Sequence, residues 1–272
     1  MPNREISDET ALCGIVLHPA GHTRSPAMHN AAFRALGLDA VYLAFDVPPD
    51  QLAGAMAGAR ALGVRQLAVS IPHKQAVMEH LDEVEETARH IGAVNTVTRR
   101  DGRLVGSNSD WIGAIRALER ECDLKGRRAV VLGAGGTARA VVFGLVERGA
   151  RVTVLNRSVD RARNLASALG ADAAGALSDL ASIGHNVLVN TTSVGLRDDR
   201  SPVEADHIDP GAVVLDAVYD PARTRLLRDA KARGARVVAG KWMLVHQAAE
   251  QLSLWTGRAA PLEVMADAFD RE

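Results

Sequence analysis

Residues 127–140 read Arg127-Arg128-Ala129-Val130-Val131-Leu132-Gly133-Ala134-Gly135-Gly136-Thr137-Ala138-Arg139-Ala140. An apolar run ends at Gly133 and a helix-forming stretch follows at once, so the glycines lie where a buried parallel strand hands over to a helix. A dinucleotide site requires this strand, turn and helix. Gly133 permits a tight turn, Gly135 a close approach to pyrophosphate, and Ala138 close packing of the helix on the strand. Glycine-rich turns also occur as plain loops.

The next strand indicates which dinucleotide would bind. The strand over residues 151–155 ends in Asn156-Arg157-Ser158, and Arg161 follows one helical turn later. An NAD site places Asp or Glu at this strand end, whereas a guanidinium matches the geometry of a phosphate. Surface arginines at a helix start are the alternative, but cations there oppose the helix dipole. The pattern favours NADP, held by a first set of residues: Gly133, Ala134, Gly135, Gly136, Thr137, Ala138, Asn156, Arg157, Ser158 and Arg161.

Composition excludes several classes of function. The chain has 272 residues, 47% of them hydrophobic, and a net charge of -1. This length suits two domains with a large core, and the charge provides no basic field for nucleic acid. The apolar stretches are strand-sized and the first ten residues are polar and acidic, so we expect no membrane segment and a place in the cytoplasm. Cys13 and Cys122 form no disulfide framework, and no metal-ligand spacing is visible.

Strand and helix patterns alternate along the whole chain and predict an α/β fold. The first half predicts an α/β unit with parallel connections, a helix that starts at Pro26 with Ser25 as its N-cap, and a helical stretch over residues 73–81. A hairpin turn is expected at Asp101-Gly102. The second half predicts a doubly wound sheet, with its ligand crevice at the carboxyl ends of the strands, and a last helix over residues 243–255.

If the second domain holds NADP, the first should hold the molecule that exchanges hydride with it, and the reacting atom must lie between them. Lys74 follows a strand that Pro72 terminates, and Asp110 lies at another element boundary. An isolated lysine is usually an exposed helix residue. An ammonium beside a carboxylate, however, can exchange a proton with an alcohol or ketone, which predicts a catalytic pair.

Several separated motifs together resemble the shikimate dehydrogenase family. The stretch His22-Thr23-Arg24-Ser25-Pro26 resembles the family's paired-hydroxyl motif, and Ser70-Ile71-Pro72-His73-Lys74 resembles its lysine motif. Further matches are Gly92-Ala93-Val94-Asn95-Thr96, Asn108-Ser109-Asp110, the glycine turn with Asn156-Arg157-Ser158, Asn190-Thr191-Thr192-Ser193-Val194-Gly195, and residues 240–249. They span most of the chain in the family's order.

The resemblance implies reversible reduction of 3-dehydroshikimate to shikimate by NADPH, a step of aromatic amino acid and chorismate biosynthesis. It implies that Lys74 transfers the proton, with Asp110 hydrogen-bonded to Lys74 and to a substrate hydroxyl. It further implies that the substrate is bound by Thr23, Ser25, Ser70, Lys74, Asn95, Asp110 and Gln247. Residues implied near the nicotinamide are Thr191, Thr192, Ser193, Val218, Tyr219, Gly240 and Met243.

The resemblance also implies two domains with different functions. Residues 1–111, completed by 244–272, are expected to form the α/β substrate-binding domain, and residues 112–243 the Rossmann NADP-binding domain. The protein is expected to be a monomer or a homodimer without a metal ion.

Three positions depart from the family pattern. Thr23 stands where Ser is usual, Ala68 where Asn is usual, and Trp111 where Gly is commonest. A missing amide at residue 68 removes a hydrogen bond to a substrate hydroxyl, which is worth about 1–3 kcal/mol. Two alternatives therefore stay open: a paralogue that acts on quinate or another cyclic polyol acid, and a regulator that senses NADP without turnover.

Overall fold

The computed structural model describes residues 6–21 and 23–271, so His22 of the paired-hydroxyl motif lies outside the described residues. The chain divides into two compact units: the residues up to Ser109 together with those from Gln247 onward, and Asp110–His246. The sequence predicts a substrate-binding domain of residues 1–111 with 244–272 and an NADP-binding domain of residues 112–243. These two domain assignments stay predictions.

The first unit is built on a six-stranded sheet. Its strands are β1 (Ala11–Leu17), β2 (Ala40–Asp46), β3 (Gln66–Val69), β4 (Glu83–Val84), β5 (Thr96–Arg100) and β6 (Arg103–Ser107), in the order β2-β1-β3-β5-β6-β4. Its helices are α1 (Ser25–Leu36), α2 (Leu52–Ala61), α3 (Glu86–Ile91) and α9 (Leu262–Asp270), together with the part of α8 (Gly240–Thr256) from Gln247 onward. Buried aliphatic residues of β1, β3 and α2, such as Val16, Leu67 and Met56, form its core.

Three expectations for this unit are corrected. The sheet is mixed, because β5 runs antiparallel to β3 where parallel connections are predicted, whereas its antiparallel pairing with β6 is the expected hairpin. The predicted helix over residues 73–81 is a turn followed by a short 3-10 helix, Ala76–His80. Helix α1 begins one residue earlier than expected, so Ser25 is its buried first residue, and its N-cap is Arg24 without a side-chain hydrogen bond. The hairpin is confirmed: Asp101 and Gly102 have φ values of 50° and 79° between β5 and β6, as a tight hairpin turn demands.

The second unit is a doubly wound parallel sheet, which confirms the prediction. Its strands are β7 (Arg128–Leu132), β8 (Arg151–Leu155), β9 (Ala173–Gly175), β10 (Val187–Asn190), β11 (Val213–Asp216) and β12 (Arg236–Val238). The order is β12-β11-β10-β7-β8-β9. The chain adds β8 and β9 on one side of β7 and then β10, β11 and β12 on its other side, so the strand order switches at β7. Its helices are α4 (Asp110–Glu119), α5 (Gly136–Glu147), α6 (Val159–Leu169), α7 (Arg225–Ala232) and the start of α8 (Gly240–Thr256).

Trp111, one of the three departures from the family pattern, has a packing role in the second unit. Its ring meets Phe143 of α5 edge to face, with 5.4 Å between the ring centroids and an interplanar angle of 85°. Helix α5 approaches α4 closely at Gly144, where a Cβ would lie 2.6 Å from the Ile115 side chain. The large ring at residue 111 therefore helps to fix α4 on α5.

Candidate functional site

The turn after β7 has the backbone geometry of a phosphate cradle. Gly133 adopts φ 114°, and a Cβ there would lie 2.6 Å from Oγ1 of Thr191, so only glycine fits. Gly135 precedes α5 and has nothing within 4 Å of its Cβ position, which leaves its backbone open to a ligand. The first turn of α5, residues 136–138, presents the positive end of the helix dipole at this turn. The turn therefore fits the pyrophosphate of a dinucleotide.

Side-chain hydrogen bonds connect the carboxyl ends of neighbouring strands next to this turn. Thr191 donates its hydroxyl to the carbonyl of Leu132 at 2.6 Å, which joins the end of β10 to the end of β7. Asn190 accepts hydrogen bonds from the amide and hydroxyl of Thr192 at 3.0 and 2.7 Å and donates to Asp216 at 2.9 Å. Ser193 continues this loop as an exposed residue. The residues predicted to lie near the nicotinamide after β10 thus lie on a backbone that polar contacts fix.

A buried carboxylate orders the turn that carries Val218 and Tyr219. Asp216 is fully buried and accepts hydrogen bonds from the Val218 amide at 3.0 Å and from the Thr224 hydroxyl at 2.6 Å. Gly240 packs directly on this turn, because a Cβ there would lie 2.7 Å from the carbonyl oxygens of Asp216 and Val218. Met243 is buried within α8 one turn later. The carboxyl ends of β11 and β12 are therefore held close together.

Burial raises the pKa of Asp216 from 3.8 to about 6, against the opposing hydrogen bonds from Thr224, Val218 and Asn190. A carboxyl group whose pKa is higher in the folded than in the unfolded protein stabilises the fold at pH values below its unfolded-state pKa. This contribution to stability is lost as the pH rises through the folded-state pKa. We therefore expect Asp216→Asn to gain stability relative to the wild type between about pH 4 and pH 6, by roughly 2–3 kcal/mol in total.

Urea unfolding of both proteins at several pH values between 4 and 7 measures this difference. Asp160→Asn, at a carboxylate whose side chain is 88% exposed, is the matched control. A stability difference between wild type and Asp216→Asn that does not change with pH would show that this carboxylate titrates normally.

The arginines predicted to select NADP follow β8. Asn156 donates to the carbonyl of Ser158 at 3.0 Å and so shapes the turn before α6. Arg157 and Arg161 are both exposed, and neither is joined to a carboxylate among the residues that the structure describes. Two uncompensated guanidinium groups beside the glycine turn fit a dinucleotide that carries an additional phosphate.

In the first unit, the paired hydroxyls lie next to each other at the start of α1. Oγ1 of Thr23 accepts a hydrogen bond from the Ser25 amide at 3.3 Å. Thr23 is half-buried and Ser25 is buried. Hydroxyl donors in this position can bind a carboxylate without adding charge.

The lysine motif forms a turn at the end of β3. The Ser70 carbonyl accepts a hydrogen bond from the His73 amide at 2.9 Å, and the carbonyl of Lys74 accepts one from the Val94 amide at 2.7 Å. His73 is buried, and its Nε2 donates to the carbonyl of Val47 at 2.7 Å. These contacts fix the backbone of half-buried Lys74 beside the segment that carries Asn95.

A buried amide network surrounds Asn95 in the first unit. Asn95 donates from Nδ2 to Oε1 of Gln247 and to the hydroxyl of Ser109, both at 3.1 Å. Its Oδ1 accepts from the Ser109 amide at 2.7 Å and from the Thr96 hydroxyl at 2.8 Å. Because both ends of the amide are engaged, the orientation of Asn95 is set before any ligand binds.

Gln251 is a site residue that the sequence analysis does not predict. It is fully buried and donates from Nε2 to the carbonyl of Asn95 and to the hydroxyl of Thr96, both at 3.0 Å. It lies four residues after Gln247 on α8, so the two glutamines share one face of the helix. That spacing is the signal from which Gln251 could be predicted.

We expect Gln251→Leu to destabilise the protein by about 2–4 kcal/mol, because two buried acceptors lose their donor and leucine cannot replace it. Urea unfolding followed by circular dichroism measures the change. Gln51→Leu, the same substitution at an exposed position, is the control and should stay within about 0.5 kcal/mol of wild type. If Gln251→Leu also stays within that range, the network does not hold Asn95.

The predicted site residues are thus grouped within each unit. Thr23, Ser25, Ser70, Lys74, Asn95 and Gln247 belong to the first unit, and the nucleotide set belongs to the second. Asp110 is the buried first residue of α4 in the second unit. Among the described residues, no group of three or more His, Cys, Asp or Glu could hold a metal ion. None of the helices described is both long and apolar enough to cross a membrane.

The fold and the glycine turn define a two-unit α/β protein with a Rossmann nucleotide-binding unit. Three family profiles match the chain: the shikimate dehydrogenase substrate binding domain over residues 15–97, shikimate/quinate 5-dehydrogenase over 116–198, and the shikimate 5'-dehydrogenase C-terminal domain over 240–268. The shikimate dehydrogenase (NADP(+)) of Thermococcus kodakarensis is 48% identical over 92% of each chain. The chain belongs to the shikimate dehydrogenase family.

Solved structures agree with this assignment. A shikimate dehydrogenase in complex with NADP+ is similar with a TM-score of 0.94 and 38% identity, over 98% of this chain and 97% of the other. The enzyme of Thermus thermophilus, in complex with NADP(H) and shikimate, has a TM-score of 0.90 and 41% identity over 96% and 99%.

Proposed function

We propose that this protein is an NADP-dependent shikimate dehydrogenase, an oxidoreductase that interconverts shikimate and 3-dehydroshikimate. The observation that carries the proposal is the 48% identity to a shikimate dehydrogenase (NADP(+)) over 92% of the chain. The rigid polar network around Asn95 and the two uncompensated guanidinium groups after β8 support it from the structure.

The second unit binds the nucleotide. The backbone of residues 133–138 and the N-terminus of α5 hold the pyrophosphate, and Arg157 with Arg161 binds the additional phosphate of NADP. The polar loop that begins at Thr191 and the turn that carries Tyr219 border the nicotinamide, together with Gly240 and Met243 at the start of α8. NADPH supplies a hydride when it is bound.

The first unit binds the ring acid. Thr23 and Ser25 donate hydroxyl hydrogen bonds to its carboxylate, while Asn95 and Gln247 contact ring hydroxyls. Because the two amides already hydrogen-bond each other, they bind these hydroxyls with little further loss of side-chain freedom.

Proton transfer is assigned to Lys74. In the reducing direction the Lys74 ammonium protonates the ring oxygen that gains negative charge, and in the oxidising direction the neutral amine accepts that proton. Asp110 accepts a hydrogen bond from a ring hydroxyl and so orients the substrate. The carbonyl of Lys74, held by the Val94 amide, fixes the position from which the side chain extends.

One observation favours a broader substrate range. Ala68 lies in the middle of β3 and is only 4% exposed, so this strand position offers no amide to a ring hydroxyl. Without that hydrogen bond, discrimination between shikimate and quinate is expected to fall by about tenfold or more.

Steady-state rates of NADP+ reduction with shikimate, quinate and aminoshikimate test the proposal. We expect the highest kcat/KM for shikimate. A higher kcat/KM for quinate would identify the paralogue, and tight NADPH binding without turnover of any of the three would identify a sensor. A place in the cytoplasm, and a monomeric or homodimeric state measurable by light scattering, stay predictions.

A further inference from the structure

A cavity lies within the second unit, beside the free edge of β12. It has a volume of about 670 Å³, which is in the range of small-ligand sites. Among the residues that the structure describes, β12 pairs only with β11, and residues of β12 line the cavity together with α7 and the end of α4. The walls are apolar: Leu227, Val237 and Val238 line it, and the ring of Trp242 forms one side.

The rim of this cavity is strongly cationic. Four basic residues line it, Arg120, Arg223, Arg228 and Lys231, against the single carboxylate of Glu121. Arg228 is paired with Asp199. In the part of the chain that the structure describes, no carboxylate pairs with Arg120, Arg223 or Lys231. Three like charges around one apolar opening repel each other, and an anion would relieve that repulsion.

Arg120 is held in place for such an anion. Its guanidinium carbon lies 3.8 Å from the centroid of the Trp242 ring. A guanidinium that lies over an aromatic face keeps its N–H groups at the periphery, where a carboxylate or a phosphate can accept two parallel hydrogen bonds. The apolar walls beneath these groups would receive a flat hydrophobic body attached to the anion.

We propose that this cavity binds a small anion with a flat apolar ring, such as an aromatic carboxylate or an aryl phosphate. Arg120, Arg223 and Lys231 bind the charged group, and the ring lies against Leu227 and Val237. None of these residues belongs to the nucleotide or substrate sets described above. The proposal therefore does not depend on the catalytic function.

Fluorine NMR of the full chain tests this proposal with three probes: 4-fluorobenzoate, 4-fluorophenyl phosphate and the neutral 4-fluorobenzyl alcohol. We expect saturable binding of at least one anion with a dissociation constant of about 1 mM or lower, and binding of the alcohol at least about tenfold weaker. The variant Arg223→Gln/Lys231→Gln should weaken anion binding by about tenfold or more.

The double variant Lys125→Gln/Arg163→Gln is the matched control, since both side chains are exposed, lie in the second unit and do not line the cavity. It should leave anion binding unchanged. Tighter binding of the phosphate or of the carboxylate identifies the group that the cavity selects. Equal binding by wild type and Arg223→Gln/Lys231→Gln, equal binding of the alcohol, or no saturable binding up to about 10 mM would overturn the proposal.

Discussion

Lys74→Ala is expected to lower kcat for shikimate oxidation by about 10²–10⁴-fold, the usual contribution of a positioned proton-transfer group. The affinity for NADP+ should change little, because Lys74 belongs to the first unit and the nucleotide set belongs to the second. Steady-state kinetics give kcat, and a fluorescence titration of NADPH gives the affinity of the free enzyme. The combination of lost turnover and retained nucleotide binding is the result that a proton-transfer role requires.

Lys125→Ala serves as the control for this prediction. Lys125 is an exposed lysine of the second unit, and its removal should leave kcat within about twofold. A Lys74→Ala enzyme with near wild-type kcat would refute the assigned role. A rise in KM for shikimate with unchanged kcat would assign Lys74 to substrate binding alone.

Arg157→Gln should weaken NADP+ binding by about 10–100-fold, because a charge-assisted hydrogen bond to phosphate contributes roughly 1.5–3 kcal/mol. Binding of NAD+ should change by no more than about twofold, since NAD+ carries no additional phosphate for the guanidinium to bind. The ratio of the two dissociation constants is therefore the decisive quantity.

Arg163→Gln is the matched control for Arg157→Gln. Arg163 lies on α6, the helix that follows Arg157 in the chain, but its guanidinium is 3.5 Å from the carboxylate of Asp160. Its loss should affect NADP+ and NAD+ equally and weakly. Equal losses for both nucleotides in Arg157→Gln would show that Arg157 does not contact the additional phosphate.

Sequence patterns are sufficient to predict the elements whose geometry depends on residues adjacent in the chain. The turn at Gly133 and the doubly wound sheet around it follow from an apolar strand, two glycines and a helix-forming stretch in immediate succession. The hairpin at Asp101-Gly102 follows for the same reason, because two adjacent residues with positive φ need this pair of residue types.

Features that depend on distant parts of the chain were not predictable in this way. The antiparallel pairing of β5 with β3 joins strands from separate segments of the chain, and no periodicity in β5 itself reveals it. The spacing from Gln247 places Gln251 on the same helix face, but the contact of Gln251 with Asn95, 156 residues earlier in the chain, exists only in the folded unit. Helix α9 is not among the predicted elements either, although it packs on α1 in the finished unit.

The helix start at Ser25 illustrates a smaller failure. Serine before proline is a common N-cap pattern, yet α1 includes Ser25 and is preceded by Arg24 in a helical conformation. The Ser25 amide instead donates to the Thr23 hydroxyl, so the local hydrogen bond that defines the start comes from two residues earlier. The structure therefore brings Thr23 and Ser25 together through a hydrogen bond that the capping pattern does not predict.

The product of a stoichiometric reaction tests the central proposal most directly. Enzyme, NADPH and 3-dehydroshikimate are mixed, the loss of NADPH absorbance is followed, and the product is identified by chromatography. The proposal predicts one molecule of shikimate for each NADPH consumed. Unchanged NADPH in the presence of 3-dehydroshikimate, or oxidation of NADPH without formation of shikimate, would contradict it.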